Sequence, residues 1–291
     1  MGVAADRSGR PVHLLEKDVW AVWTLEALYA APFSRQLVFN GGTSLSKAYD
    51  VIARFSEDVD LTYDIRAIAP DLTTAGTEPI PATPSQEQKW TKAIRARLDD
   101  WTANTVAPTL ESRLAELRST AKVDVDGATV TVTYESLATG TGYVRPVVLL
   151  QFGARSTGEP SEPRSVTCDA AAHVLELAFP SAIAVTMRPE RTFWEKAAAS
   201  PVFCLGGRIR GDDRVSRHWH DVVALGRNDR SRSAADRIAA ARPGATCRRA
   251  SCHSRPSSAR RARWDVPAAG RHRERSVVLP TQEAVDIGSG P

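Results

Sequence analysis

Two carboxylates at alternate positions, Asp58 and Asp60, follow a short segment that opens on a double glycine, Gly41-Gly42-Thr43-Ser44-Leu45-Ser46-Lys47. Side chains repeat every two residues in an extended strand, so the aspartates share one face, about 7 Å apart along the chain. Such a pair makes a seat for a divalent cation. Ser56 falls on the same face. The double glycine lets the backbone approach a phosphate, amides at a helix start point at the anion, and Thr43 and Ser44 bring hydroxyls able to donate to it. Together the two segments are an arrangement for moving nucleotides. They do not form a P-loop, whose Gly-x-x-x-x-Gly-Lys spacing is missing. Lys47, one turn into the helix, reads as a surface residue.

These groups need strands and helices to hold them. Leu37-Val38-Phe39 is a short apolar strand running into Asn40-Gly41-Gly42, and Thr43 or Ser44 caps a helix carrying Leu45, Ala48, Tyr49 and Ile52. Phe55 to Tyr63 is the strand of the aspartates. Ahead of them, Leu14 to Ala30 reads as a helix, with Trp20, Trp23, Leu25, Ala27 and Leu28 near helical spacing among charged positions. Pro70 to Pro84 is rich in Pro, Thr, Ala and Gly and reads as a loop. Amphipathic helices are expected over Gln86 to Asp100 and Pro108 to Arg118. Val123-Asp124-Val125 and Ala128 to Tyr134 alternate about Asp126-Gly127, the signature of a hairpin. Val147 to Phe152 is a continuous apolar run suited to a buried strand, a further strand lies near Ala182 to Thr186, and helices follow over Pro189 to Ala199 and Val215 to Leu225.

Beyond Leu225 the periodicity fails. Fourteen arginines and no lysine fall between Arg227 and Arg275, and large aliphatic residues become scarce between Ile238 and Val277. A chain of that composition buries too little apolar surface to offset its entropy. Three readings stay open: a basic nucleic-acid-binding arm, plain disorder, or the product of a shifted reading frame in GC-rich DNA. Truncation near Leu225 separates them. Loss of a basic arm weakens RNA affinity and flattens its salt dependence. Loss of either other kind of tail leaves both unchanged, and moves the melting temperature by no more than about a degree.

With 291 residues the chain has ample length for a core, and 42% hydrophobic against 25% charged residues is an ordinary soluble composition. No run of eighteen apolar residues appears, so no membrane partner is expected, and Met1 to Arg10 lacks the apolar centre of a signal peptide. Cys168, Cys204, Cys247 and Cys252 have no metal spacing. A cytoplasmic location is expected. The net charge of +4 permits a nucleic-acid partner without requiring one.

Four blocks in order carry a family resemblance: Gly41-Gly42-Thr43-Ser44-Leu45-Ser46-Lys47-Ala48-Tyr49, Arg54-Phe55-Ser56-Glu57-Asp58-Val59-Asp60-Leu61, Arg188-Pro189-Glu190-Arg191-Thr192-Phe193-Trp194-Glu195-Lys196, and Arg217-His218-Trp219-His220-Asp221-Val222. Over about Leu14 to Leu225 the chain resembles the AbiEii/AbiGii-type nucleotidyltransferases, toxins of bacterial toxin–antitoxin and phage-abortive systems with a minimal DNA-polymerase-beta-like fold. The resemblance implies an α/β (α+β) core with a small mixed sheet over residues 1–160, a helical part completing the site over 161–226, and the arginine-rich tail over 227–291. It implies that Asp58 and Asp60 bind the metal, Mg²⁺ or Mn²⁺, that carries a nucleoside triphosphate. Lys196 then contacts the nucleotide and Asp221 completes the site, with Gly41, Gly42, Thr43, Ser44 and Ser56 about the phosphates. The implied partners are a nucleoside triphosphate, an RNA acceptor, above all a tRNA 3′ end, and a cognate antitoxin.

The residues alone read more blandly: Glu195-Lys196 as a surface pair, Asp221 as a helix-face carboxylate, and His218 and His220 as surface or RNA-facing. Many polymerase-beta-like enzymes place a third carboxylate on a later central strand. The candidate strand here carries Gln151, so either Asp221 stands in as base or deprotonation relies on the metal. Arg155, just past that strand, is a candidate phosphate contact or a solvated loop residue. Two rival readings are a silent or truncated remnant of the family and a nucleotide- or RNA-binding module without chemistry.

Overall fold

The strand of the aspartates lies in the middle of a seven-stranded mixed sheet of order β3-β4-β5-β2-β1-β7-β6. The computed structural model describes residues 1–54, 58–73, 81, 83–137, 145–205 and 213–227, without the side chains of 199–205 and 213–216. The strands are β1 (Leu37–Asn40), β2 (Asp58–Tyr63), β3 (Lys122–Asp126), β4 (Thr129–Thr133), β5 (Val147–Gly153), β6 (Ser161–Thr167) and β7 (Ser181–Met187). The helices are α1 (Gly2–Ser8), α2 (Val12–Tyr29), α3 (Gly41–Lys47), α4 (Ile65–Ile68), α5 (Pro70–Thr73), α6 (Pro84–Trp101), α7 (Ala107–Glu116), α8 (Pro189–Leu205) and α9 (Asp213–Arg227). The chain is thus α/β, with a mixed sheet: β2 runs antiparallel to β1 and parallel to β5, and β1 runs parallel to β7.

Register makes the sheet two-faced. Val59 pairs with Leu150, Leu61 with Phe152 and Val130 with Leu150, so these apolar side chains fall on one face, where Leu25, Leu28, Ile94, Leu98 and Leu110 from α2, α6 and α7 cover them. Each fully buried large aliphatic or aromatic side chain contributes about 1.5–3 kcal/mol. The alternate residues, Asp58, Asp60 and Gln151, therefore occupy the other face, and one extra or missing residue in β2 would bury both carboxylates in the core.

Several expectations need correction. The loop expected from Pro70 opens with the one-turn helix α5, and residues 74–80 and 82 lie outside the described set. The two helices expected over 86–118 are joined by a π-helical stretch, Thr102–Val106, anchored by Thr102 Oγ1, which donates to the Gly127 carbonyl at 2.7 Å. Gly127 takes φ +55° in the expected hairpin turn. β5 was read as buried throughout, yet it alternates, with Gln151 exposed. The part beginning at residue 161 opens with two strands before its helices, and β6 had no sequence signal. Helix α2 is less simply amphipathic than its spacing predicts, because Glu16, Lys17 and Asp18 are all buried. Glu16 accepts the Leu137 amide at 2.9 Å, and Asp18 accepts the Asp169 amide at 2.6 Å. The tail from residue 228 on lies outside the described residues.

Candidate active site

Gly41 takes φ +77°, a conformation that costs a residue with a side chain about 1–2 kcal/mol. A Cβ there would also fall 1.9 Å from Asp60 Oδ2. The glycine turn and the second aspartate thus lie in direct apposition, as the spacing of the two segments suggested. Asn40 pairs with Asp60 across β1 and β2, and Gln151 pairs with Asp60 across β2 and β5. Gln151 therefore occupies the row in which a third carboxylate would stand, and it is an amide.

Thr43 and Ser44 need a different account from the sequence reading. Thr43 Oγ1 donates to the Asp58 carbonyl, and Ser44 Oγ donates to the Gly41 carbonyl at 2.9 Å. Both side chains are buried. A hydroxyl has one proton to give; here that of Thr43 ties α3 to the start of β2, and that of Ser44 goes back to the first residue of α3. Only the backbone of the turn is left for a phosphate. Ser56 lies outside the described residues.

Lys47 is not a surface residue. Its Nζ lies 2.6 Å from Asp18 Oδ1 and 2.7 Å from Asp169 Oδ1, and its side chain is largely buried. This bridge ties the end of α3 to α2 and to the segment after β6. The three consecutive charges Glu16-Lys17-Asp18, set in an otherwise apolar helix, were the sequence signal for it.

The second half of the site arrives with α8 and α9. Leu225 of α9 packs in a small cluster with Leu45 of α3 and Ile52, with Phe193 of α8 against it. Asp221 lies one turn before Leu225 and Lys196 three residues after Phe193, so each polar group shares a helix face with an anchor of that cluster. Asp221 is fully buried. It accepts from Arg54 Nε at 2.8 Å and from Arg54 Nη2 at 2.7 Å, and Lys196 Nζ lies 3.0 Å from the same Oδ2. Neither Lys196 nor Asp221 is the surface group that its local sequence suggests. Arg54 opens the second sequence block, yet sequence reasoning gave it no role; a cation four residues ahead of the alternate aspartates was the available clue.

Charge ties the two halves together. Burial, and then the neighbouring Asp58 charge, push Asp60 up to about 6, against the pull of Lys196 and Arg54. Burial alone would raise the Asp221 carboxyl as well, but the bonds from Arg54 and the charge of Lys196 outweigh it and hold Asp221 below the usual carboxylate range. His218 is half-buried and pushed down by burial and Lys196, while His220 is exposed with Nδ1 3.5 Å from Asp221 Oδ1. Arg155 is exposed and lies four residues beyond the Asp60 row, toward the far end of the sheet.

The donor set suits a hard divalent cation. Asp58 and Asp60 are oxygen ligands that repel one another when empty-handed, and Asn40 Oδ1, in the same row, is buried without a hydrogen-bond partner among the described residues. No group of three His, Cys, Asp or Glu side chains clusters among the described residues. Two carboxylates are nevertheless enough for Mg²⁺ when phosphate oxygens and water complete its shell.

The model of the family described as nucleotidyl transferase AbiEii toxin of a type IV toxin–antitoxin system matches residues 23–276, extending into the arginine-rich stretch. Among solved structures, the chain is similar to the nucleotidyltransferase toxin MenT4 from Mycobacterium tuberculosis H37Rv, at 20% identity and a TM-score of 0.37. That alignment covers 68% of this chain and 58% of the other, so the chain spans less than two thirds of that relative's length. No curated protein matches. Among the described residues, no helix is long and apolar enough to cross a membrane.

Proposed function

The chain belongs to the AbiEii nucleotidyltransferase toxin family, and from that premise we propose that it transfers a nucleoside monophosphate from a nucleoside triphosphate to an RNA acceptor, with release of pyrophosphate. The observation that carries this reading is the apposition of the Asp58–Asp60 pair to the Gly41 turn, with Lys196 close enough to pull on Asp60. Asp58 and Asp60 would hold Mg²⁺ or Mn²⁺. Such a cation, once bound, neutralises charge on the triphosphate and its leaving group.

The remaining work falls to the protein's own groups. Gly41 and Gly42 give the phosphates room against the backbone. Lys196 supplies a fixed positive charge where charge develops on the leaving pyrophosphate. Neither candidate for deprotonating the attacking hydroxyl is well placed: Gln151 is an amide, and Asp221 is a buried carboxylate whose oxygens are taken up by Arg54 and Lys196. A tRNA 3′ end is the favoured acceptor, growth arrest the consequence, a cognate antitoxin the expected partner, and the cytoplasm the expected location. The first three follow the family resemblance, and the location follows the composition.

Incubation of the full chain with labelled nucleoside triphosphates, Mg²⁺ and total RNA tests the reading. Labelled RNA that disappears with EDTA is the expected result. Retention of RNA without label would identify a binding module, and the absence of both a silent relative.

The Gly41 contact gives a sharper check. Gly41→Ala forces Asp60 Oδ2 away from the new Cβ and strains the positive φ, so transfer should fall at least about ten-fold, the scale of a misplaced reacting group. Its melting temperature should also drop. Unchanged kinetics would show that the Asp60 carboxylate is not held in place by this turn.

A further inference from the structure

Arg54 presents a fixed guanidinium with part of its donor set in reserve. Its Nε and Nη2 are both spent on Asp221, side-on, at 2.8 and 2.7 Å. Among the described residues, no hydrogen bond to its Nη1 is found, and the side chain keeps 20% of its surface exposed. A guanidinium gripped along one edge offers its other donors in a set direction, which suits phosphate oxygens better than a mobile cation does.

Count the charges around it. Asp221 is one carboxylate serving two cations, Arg54 and Lys196. The trio by itself therefore carries a net positive charge, which the Asp58 and Asp60 carboxylates beside it offset until a divalent cation takes them up. Both cations also act on Asp60. An anion arriving beside the aspartates would thus meet two cations already oriented.

Asp221 is at the same time badly placed to act as base. It is fully buried. Its Oδ1 accepts from Arg54 Nε, and its Oδ2 faces both Arg54 Nη2 and Lys196 Nζ. A general base has to come within hydrogen-bond reach of the hydroxyl it deprotonates.

Resting on the transfer reading above, we propose that Arg54 is a phosphate-binding residue of the triphosphate site, and that Asp221 is a positioning residue that fixes Arg54 and Lys196. The competing account is a purely structural network, in which the same bonds only fasten α9 to the chain ahead of β2. Affinity for nucleotide separates the two, because a fastening bond has no direct hold on it.

The experiment measures Mg²⁺–nucleoside triphosphate binding by equilibrium dialysis, without RNA, on the full chain. Transfer kinetics across pH are measured in parallel. Arg54→Lys keeps the charge and one bond to Asp221, so it remains folded where Arg54→Ala fails to. It should still weaken nucleotide binding about ten-fold, with KM rising to match. Asp221→Asn should weaken binding similarly and keep the wild-type shape of its pH–rate profile. The double variant should be little worse than either single one, since the two groups act as a unit. Wild-type binding by a folded Arg54→Lys would overturn the proposal. So would an Asp221→Asn variant that binds nucleotide normally but loses kcat and the acidic limb of its pH profile, for Asp221 would then be the base. If the wild-type chain itself binds no nucleoside triphosphate, the transfer reading fails first and carries this proposal with it.

Discussion

Asp60→Asn should abolish nucleotide transfer and, in the same protein, raise the melting temperature of the metal-free chain at neutral pH. The first effect follows from removing one of the two carboxylates proposed to hold the cation, and Asp58→Ala should match it. The second follows from the burial of Asp60. Its folded value of about 6 stands above the ordinary 3.8. Folding therefore takes up a proton in the window between those values, and stability falls as pH rises through it, staying low above. A shift of this size corresponds to about 3 kcal/mol at most. The amide variant carries no such charge, so its melting temperature should lose this part of the pH dependence and exceed the wild type by several degrees at neutral pH. Added Mg²⁺ should stabilise the wild type and leave the variant unmoved. Calorimetry between pH 4 and 8, with and without Mg²⁺, reads all of this. Retained turnover would remove the metal assignment, and equal melting curves would remove the electrostatic one.

Lys196→Ala should slow transfer by two or more orders of magnitude, the scale of losing one preorganised charge-stabilising donor. The loss should fall on kcat more than on KM, because the charge it meets grows as the leaving group departs. The fold should survive. Asp221 keeps its two bonds from Arg54, so the substitution leaves no unpaired buried carboxylate, and circular dichroism should be unchanged. Normal turnover by this variant would return Lys196 to a structural role within the Asp221 network.

How far the sequence could be read depended on whether a residue's partners were near it in the chain. The Leu37–Asn40 strand, the glycine turn and the alternate aspartates are local patterns, and the structure has them in the expected relation. Strand β6 was missed because Ser161–Thr167 holds Glu162, Pro163 and Arg164 and buries only Val166. It is an edge strand, where proline is tolerated and alternation is weak. Charges misled more than apolar residues did. Lys47, Asp18, Asp221 and Lys196 are each ordinary surface types, and each is buried or largely buried beside a partner more than twenty residues away. The run Glu16-Lys17-Asp18 was a local trace of the first bridge, but nothing local names the partner in any of these pairs. Arg54 likewise stands four residues ahead of Asp58, while its two bonds go to a residue 167 positions later. Thr43 and Ser44 differ the other way: their types invite a ligand, and in this structure both hydroxyls donate to backbone carbonyls.

Among the described residues, the cluster of Leu45, Ile52 and Leu225 is separate from the main core and far smaller. What holds Asp221 and Lys196 over the sheet thus draws, among those residues, on three buried side chains and an ion network, while the sheet and its covering helices draw on a core about ten times as populous. Loosening of α9 from α3 should therefore cost less than global unfolding and precede it on heating or in denaturant. Amides of α9 should exchange with solvent well before those of β2 and β5. Competence and foldedness then become separate properties of this chain. A molecule can keep its sheet, its melting transition and both metal-side aspartates, and yet be switched off by the undocking of one helix.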